Sequence, residues 1–385
     1  MIHYDTRKIN PEDVFLAIGK GKDHISREVI AKAKKIIKLG KENTYNYLQK
    51  LWDINLDDIE IIGITGTNGK TTVSYLVEQV LKNHGTKSRV IGTINSNLTT
   101  PEIFDLLTII KDMQKKNETH LIMEVSSIGI AENRITGLPF SVKLLTNITQ
   151  DHMDYHKTFK HYVDSKFIFL TNKGPTIYPT DYKKINLDFN HKLIGKFNEY
   201  NLKAAYAICS ELGIPTTTIK SSLAKANPPK GRFEKIELNK KITAIVDYAH
   251  TPDSLENVLK EAKALTTGNL ITVFGAGGDR DTSKRPLMGK AAEKWSDKII
   301  VTSDNPRTED PQSIIDDVLK GIKNKTNTVV EINRKEAIQK ALMIAKDNDV
   351  IIIAGKGHED YQIIGTEKTH FDDSEILQEL AKCIP

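Results

Sequence analysis

The sequence predicts an α/β protein of two successive domains, each built on a mainly parallel sheet. Short apolar runs alternate with amphipathic stretches along most of the chain, and a glycine-rich turn follows the first strong run. Pro228-Pro229-Lys230-Gly231 then interrupts the alternation before a second series begins, as a hinge between domains does. At roughly 150 residues per domain, a chain of 385 has room for two or three cores.

In order, residues 1–54 form a small leading piece whose lysine-rich stretch, about Ser26 to Lys41, is predicted helical and ends near Gly40. Residues 55–229 follow, with strands at Ile59 to Thr65, Ser88 to Thr93, His120 to Ser126 and Val142 to Ile148. Helices are predicted at Lys70 to Asn83, Glu102 to Lys115 and Phe159 to Thr171. Residues 230–385 carry strands at Ile242 to Tyr248, Leu270 to Gly275, Lys298 to Thr302 and Val350 to Ala354. The helices of this part are Asp253 to Leu265, Arg285 to Trp295, Pro311 to Ile322 and Arg334 to Lys346.

Composition narrows the function. Charged residues are 27% of the chain and the formal net charge is +5, a mild balance that suits an anionic small substrate and does not call for nucleic acid. Cys209 and Cys383 stand far apart, without metal-ligand spacing, which fits a reducing compartment. Met1 to Lys20 is mixed in character and no long apolar run occurs, so a soluble, cytoplasmic protein is expected, with small molecules and not membranes as its partners.

The loop after the first strand reads Gly63-Ile64-Thr65-Gly66-Thr67-Asn68-Gly69-Lys70-Thr71-Thr72. Gly63, Gly66 and Gly69 allow backbone N–H groups to face phosphate oxygens, Lys70 supplies a cation, and the Thr71 hydroxyl suits the Mg²⁺ that accompanies ATP. Glu124 ends the strand at His120, beside that loop, where a carboxylate suits a metal. Asp151-His152-Met153-Asp154 follows the next strand, and Lys166 lies on the predicted helix beyond it.

These residues resemble the Mur ligase family, ATP-dependent amide-forming enzymes of cell-wall precursor synthesis. The likeness rests on Thr65 to Thr71, Glu124-Val125-Ser126-Ser127, Asp151 to Asp154, Gly195-Lys196-Phe197-Asn198 with Asn201, Gly231-Arg232-Phe233-Glu234 and Asp247-Tyr248-Ala249-His250-Thr251. It implies a P-loop ATPase domain followed by a Rossmann-like domain. ATP would contact Gly66, Thr67, Asn68, Gly69, Lys70, Thr71 and Thr72, with Asn198 and Asn201 on adenine, Arg232 on phosphates and Asp247 on ribose. It further implies two Mg²⁺ ions: one on Thr71 and Glu124, the other on Glu124, His152 and a Lys166 carbamylated by CO₂. Lys70, Glu124, His152 and Lys166 would be the catalytic set.

Three motifs follow strands at one edge of the last domain: Gly277 to Asp281, Ser303 to Arg307 and Ala354 to Gln362. Arg280 and Arg307 suit two carboxylates and Glu359 an ammonium, which together match a diamino acid with two carboxylates, such as meso-diaminopimelate. The resemblance adds Asp304, Asn305 and Gly355 to that group, and Thr99, Thr100, Ser126 and Arg134 as contacts of a nucleotide-sugar peptide. The expected reaction adds meso-diaminopimelate to UDP-N-acetylmuramoyl-L-alanyl-D-glutamate through an acyl phosphate, in a monomeric enzyme. Two departures from the family keep other acceptors open, pseudomurein peptides and tetrapyrroles among them: Ile128 replaces a usual histidine, and residues 1–54 are short for a uridine-binding domain. A non-catalytic nucleotide-binding protein is the reading of another class.

Overall fold

The structure, a computed structural model, describes residues 2–3, 14–18, 35–39, 41–238 and 242–382. At its start β1 (Ile2–His3), β2 (Val14–Ile18) and β3 (Lys35–Leu39) form a parallel three-stranded sheet in that order. The lysine-rich stretch predicted helical therefore ends as a strand. Ile36 and Ile37 pair with Phe15 and Leu16, and β-branched residues fit a pleated surface better than a helix interior. Residues 26–34 lie outside those described. The helix comes after Gly40, as α1 (Lys41–Trp52).

The second sheet has the order β5-β6-β4-β7-β8 and is parallel throughout. Its strands are β4 (Glu60–Thr65), β5 (Ser88–Ile91), β6 (His120–Val125), β7 (Phe140–Leu145) and β8 (Thr176–Ile177). Side chains alternate between two cores: Ile61, Leu121 and Met123 pack on one face, while Ile62, Ile64 and Ile122 pack on the other. The helices are α2 (Lys70–Asn83), α3 (Ile103–Lys115), α4 (Ser127–Ala131), α5 (Met153–His156), α6 (Phe159–Leu170), α7 (Pro179–Tyr182), α8 (Lys196–Glu211) and α9 (Thr216–Lys225). Because β4 is flanked by β6 and β7, the strand order reverses at its carboxyl end. The phosphate-type loop sits at that switch point.

The third sheet, β13-β12-β11-β14-β10-β9, is parallel except for β9. It consists of β9 (Glu234–Glu237), β10 (Thr243–Asp247), β11 (Leu270–Phe274), β12 (Lys298–Val301), β13 (Thr328–Val330) and β14 (Val350–Ala354). Around it lie α10 (Pro252–Leu265), α11 (Lys284–Trp295), α12 (Pro311–Leu319) and α13 (Arg334–Ile344). A hairpin, β15 (Tyr361–Ile364) with β16 (Glu367–His370), and α14 (Asp373–Ala381) complete the described chain. No helix among the described residues is long and apolar enough to cross a membrane.

Candidate active site

At the end of β4 the chain turns through Gly66 (φ 145°) and Gly69 (φ 88°) into α2. A Cβ on Gly66 would lie 1.8 Å from Thr146 Oγ1 and one on Gly69 2.6 Å from Asn201 Oδ1, so both glycines are required by close packing as well as by backbone angle. Gly63 behaves differently from expectation. It lies inside β4, and its missing Cβ makes room for the Phe140 and Phe169 rings, 2.6–2.8 Å from where the atom would sit, so it takes no part in the loop. Lys70 opens α2 and donates to Gly66 O at 2.9 Å and Thr67 O at 2.8 Å, arching over the loop. Burial lowers its pKa, with Glu124 and Asp151 opposing.

Glu124, at the end of β6, is almost fully buried and accepts three hydrogen bonds: from Thr71 Oγ1 (2.9 Å), Thr93 N (3.0 Å) and Thr93 Oγ1 (3.1 Å). A Cβ on Gly92 would stand 2.1 Å from its Oε1. A carboxylate and a hydroxyl beside a phosphate-type loop are hard oxygen donors, which fit Mg²⁺.

Lys166 of α6 is buried, not solvated, with its amine 3.0 Å from Gly66 O and 4.6 Å from the centre of the Tyr162 ring. Burial, then the nearby Lys70 cation, hold that amine well below the usual lysine range, Asp151 opposing. His152 has a left-handed backbone (φ 57°) and its Nε2 lies 3.3 Å from Asp151 Oδ2. Burial lowers the imidazole's pKa against the pull of Asp151. Among the described residues no three His, Cys, Asp or Glu side chains converge as metal ligands. Of the residues expected at the second metal site, Glu124 accepts from Thr71 and Thr93, the Lys166 amine donates to Gly66 O, and His152 lies against Asp151.

The last sheet closes the other wall. Arg232 Nη2 donates to Thr71 Oγ1 at 3.0 Å, and its guanidinium stacks 4.4 Å from the centre of the Tyr248 ring. Asp247, at the end of β10, accepts from Phe233 N (2.6 Å) and Ala249 N (2.7 Å). Burial lifts its pKa to about 6, although Arg232 and those two amides oppose the rise. On α8 the buried Asn198 and Asn201 bond to each other at 3.0 Å. Asn68 Nδ2 crosses to Asp253 Oδ2 at 2.8 Å, tying the loop to α10. A cleft of about 450 Å³ lies between the walls, lined by Thr67 to Thr72, Glu124, His152, Asn198, Asn201, Arg232 and Asp247. That volume suits a nucleotide-sized ligand.

Thr99 and Ser126 also line the cleft. Thr100 Oγ1 donates to Glu124 O (2.9 Å) and accepts from Ser126 N (2.9 Å), while Ser126 Oγ caps α4 by accepting from Gly129 N. Arg134 is held by Glu102 (2.9 Å), Glu132 (2.5 Å) and Thr100 O (3.0 Å).

The remaining predicted residues form a separate group at the ends of β11, β12 and β14, outside the cleft lining. Asn305 Nδ2 donates to Glu359 Oε2 at 2.8 Å, and a Cβ on Gly355 would meet Asp304 Oδ2 at 2.5 Å. Arg307 Nη1 donates to Gly278 O at 2.8 Å, and a Cβ on Gly277 would lie 3.2 Å from that Nη1 and 3.7 Å from Arg280 Cγ. Arg307 thus reaches the loop that carries Arg280, which is itself exposed to solvent. Burial raises the Glu359 pKa, Asp304 adds to it, and Lys356 opposes.

Sequence reasoning missed Gly92, Thr93 and Lys356. The first two surround Glu124, and no local pattern marks them because their partner lies on another strand. Lys356, fully buried, donates to Asn305, Glu359 and Tyr361 O. Its place inside the Ala354 to Gln362 motif was the available signal.

Residues 64–179 match the description "Mur ligase middle domain" and residues 231–357 "Mur ligase, glutamate ligase domain". The UDP-N-acetylmuramoyl-L-alanyl-D-glutamate–2,6-diaminopimelate ligase of Clostridium botulinum is 38% identical, with 99% of this chain and 95% of that protein covered. The chain belongs to the Mur ligase family. The ligase of the same name from Aquifex aeolicus is 40% identical over 84% of this chain and 77% of its own. Among solved structures, one of a ligase of that name is 28% identical with a TM-score of 0.63, covering 99% of this chain and 94% of that one. The MurF ligase of Thermotoga maritima in complex with ADP shares the fold, at 17% identity and TM-score 0.67, covering 99% and 97%. As a Mur ligase this protein is an ATP-dependent, ADP-forming enzyme. Its alignment to the C. botulinum ligase runs over 458 positions, so that relative carries segments this 385-residue Mur ligase lacks.

Proposed function

We propose that this Mur ligase joins meso-diaminopimelate to the D-glutamyl carboxylate of UDP-N-acetylmuramoyl-L-alanyl-D-glutamate, with ATP converted to ADP and phosphate. The observation that carries the reading is that ligases named for this reaction match 98–99% of the chain at 36–38% identity. The grouping of Arg280, Arg307 and Glu359 supports the diamino acid: two guanidiniums for two carboxylates and an anion for the far ammonium. In the first step a carboxylate oxygen attacks the γ-phosphorus and ADP leaves; in the second the amine attacks the acyl carbon and phosphate leaves. Lys70 and Arg232 offset the crowded negative charge, Asn198 and Asn201 receive the adenine, Asp247 the ribose, and the closed cleft excludes water. Thr71 and Glu124 would hold Mg²⁺, which when bound neutralises phosphate charge.

On this reading Lys166 carries a carbamate. Burial holds its amine well below the usual lysine range, which favours the unprotonated form that attacks CO₂; the product, after loss of a proton, would supply anionic oxygens beside His152. Thr99, Thr100, Ser126 and Arg134 face the acceptor. The reading divides the chain at 1–54, 55–229 and 230–385, which the three larger sheets, one in each part, support. It takes the protein as a cytoplasmic monomer.

The test is ADP release with the muramoyl dipeptide nucleotide and a panel of amino acids. Turnover is expected with meso-diaminopimelate and not with lysine; turnover with lysine alone would sink the pocket assignment. Another acceptor, such as a pseudomurein peptide or a tetrapyrrole, is the second reading, favoured by the segments this chain lacks relative to the C. botulinum ligase, and ADP release only with acceptors that have no uridine nucleotide would select it. Arg307→Ala is expected to raise the KM for the diamino acid at least about tenfold, the scale of a lost charge-assisted hydrogen bond, with the KM for ATP unchanged. Equal rises in both would make Arg307 structural.

A further inference from the structure

His358 belongs to neither group of site residues, yet it touches both. It precedes Glu359 in the loop after β14, and its Nε2 lies 3.3 Å from the backbone oxygen of Thr93 on the opposite wall. A carbonyl only accepts, so the ring carries its N–H on Nε2. Burial, with Arg232 adding to it, lowers the imidazole's pKa to about 4, which keeps the ring neutral with that one N–H. Nδ1 is buried without a hydrogen-bond partner. An apolar ring would pack there without stranding a nitrogen, so packing alone does not account for a histidine.

The contact closes a circuit. Thr93 orients Glu124 through its own N–H and hydroxyl, Glu124 accepts from Thr71, and Thr71 accepts from Arg232. Arg232 stacks on Tyr248, and the Tyr248 ring lies 4.9 Å from that of His358. The backbone adds a second link: a Cβ on Gly231, the residue before Arg232, would stand 2.1 Å from His358 N. The loop that carries Glu359 thus holds, through the preceding residue, the carbonyl of Thr93, the residue whose N–H and hydroxyl aim Glu124.

We infer that His358 is a positioning residue that couples filling of the amino-acid pocket to the placement of Glu124 for phosphoryl transfer, acting through the Thr93 carbonyl. Ligand bound by Asn305, Arg307 and Glu359 fixes the loop, and the fixed loop fixes Thr93. The inference rests on the proposed assignment of that pocket to the amino acid.

His358→Phe keeps a ring against Tyr248 and removes the donor. It is expected to lower kcat about 100-fold, the cost of a catalytic group displaced by about 1 Å, while the KM for the diamino acid stays within about threefold. His358→Gln, which restores an N–H near Thr93, is expected to recover most of kcat, and His358→Asn, whose amide is too short, is not; this pair replaces the Phe variant if that one fails to fold. Amide hydrogen exchange gives a readout independent of turnover. Diamino acid added to the ATP-bound wild type is expected to slow exchange at Thr93, and in His358→Phe it is not. Wild-type kcat in the Phe variant, a loss confined to the KM for the diamino acid, or no slowing at Thr93 in the wild type would each overturn the coupling. Failure of the functional reading looks different: wild-type turnover with another amine changes the ligand used in both assays and leaves the comparison of variants intact.

Discussion

Gly63 and Gly92 are alike as letters, each within or just after a strand of the second sheet, and they do opposite work. At Gly63 the missing Cβ is filled by two aromatic rings, so Gly63→Ala is expected to cost about 1–3 kcal/mol of stability, as overpacked cores do, and to leave the KM for ATP unchanged. At Gly92 the space is filled by the Glu124 carboxylate. Gly92→Ala is expected to lower kcat about 100-fold with little change in the unfolding midpoint. Denaturant melts and steady-state kinetics on the pair check both; a swap of the two phenotypes would refute the assignment. Lys166 gives a second test at this scale. Lys166→Ala should be inactive and partly restored by added short carboxylates, and wild-type activity should fall in CO₂-stripped buffer; full activity of the alanine variant would remove the carbamate from the mechanism. Neither the buried state of Lys166 nor the packing at Gly92 was legible locally, because each depends on a partner from a different strand or loop.

At the scale of elements, α6 is held by a cation. Lys143, fully buried on β7, donates to the carbonyls of Leu170 (2.9 Å), Phe169 (3.3 Å) and Asn172 (2.5 Å), at the helix end where unpaired carbonyls and the negative pole gather. Lys143→Met strands those oxygens, at about 1–3 kcal/mol for a buried acceptor left unpaired. Faster hydrogen exchange over residues 159–171 and a fall in activity through displacement of Lys166 are the expected outcomes; unchanged exchange would mean that the helix holds itself. The strands and helices of the sheet cores are legible: α2 is predicted at its observed bounds, and β11, β12 and β14 within a residue. Other elements are not, α8 and β3 among them. In α8 the buried face carries Asn198 and Asn201, so polar site residues occupy positions where the apolar period is sought. In β3 the lysines imitate a helix repeat, while pairing with β2 decides for a strand.

For the whole molecule, burial of titratable groups has a cost that pH reveals. Burial holds His156, His250 and His358 down to about 4. Between pH 4 and 6.5 the unfolded chain therefore binds protons at these rings that the native protein refuses, and stability falls as pH drops through that window. Asp247, raised to about 6, acts in the opposite sense between 3.8 and 6, because there the native carboxyl holds a proton and the unfolded one does not. Glu359, also raised, sides with Asp247. His120 and His152, both lowered, side with the three. The imidazoles outnumber the carboxyls, so the thermal midpoint of the ligand-free protein is expected to rise from about pH 4.5 to about pH 6.5. A flat or falling curve would show that these rings are not buried neutral in solution.

The sequence by itself determined what is local: the alternation that makes two parallel sheets, the turn that brings N–H groups to a helix start, and the carboxylate and cations at strand ends. Periodicity and glycine placement act over a few residues, so they can be read without the fold. Tertiary structure alone decided which of those residues meet. Arg232 reaches Thr71 across 161 residues of chain and His358 reaches Thr93 across 265, and Glu124 is aimed by a glycine and a threonine of a neighbouring strand end. Burial, which holds the Lys166 amine well below the usual lysine range, is likewise a property of the packed molecule, because it depends on how much water the other elements leave around the group.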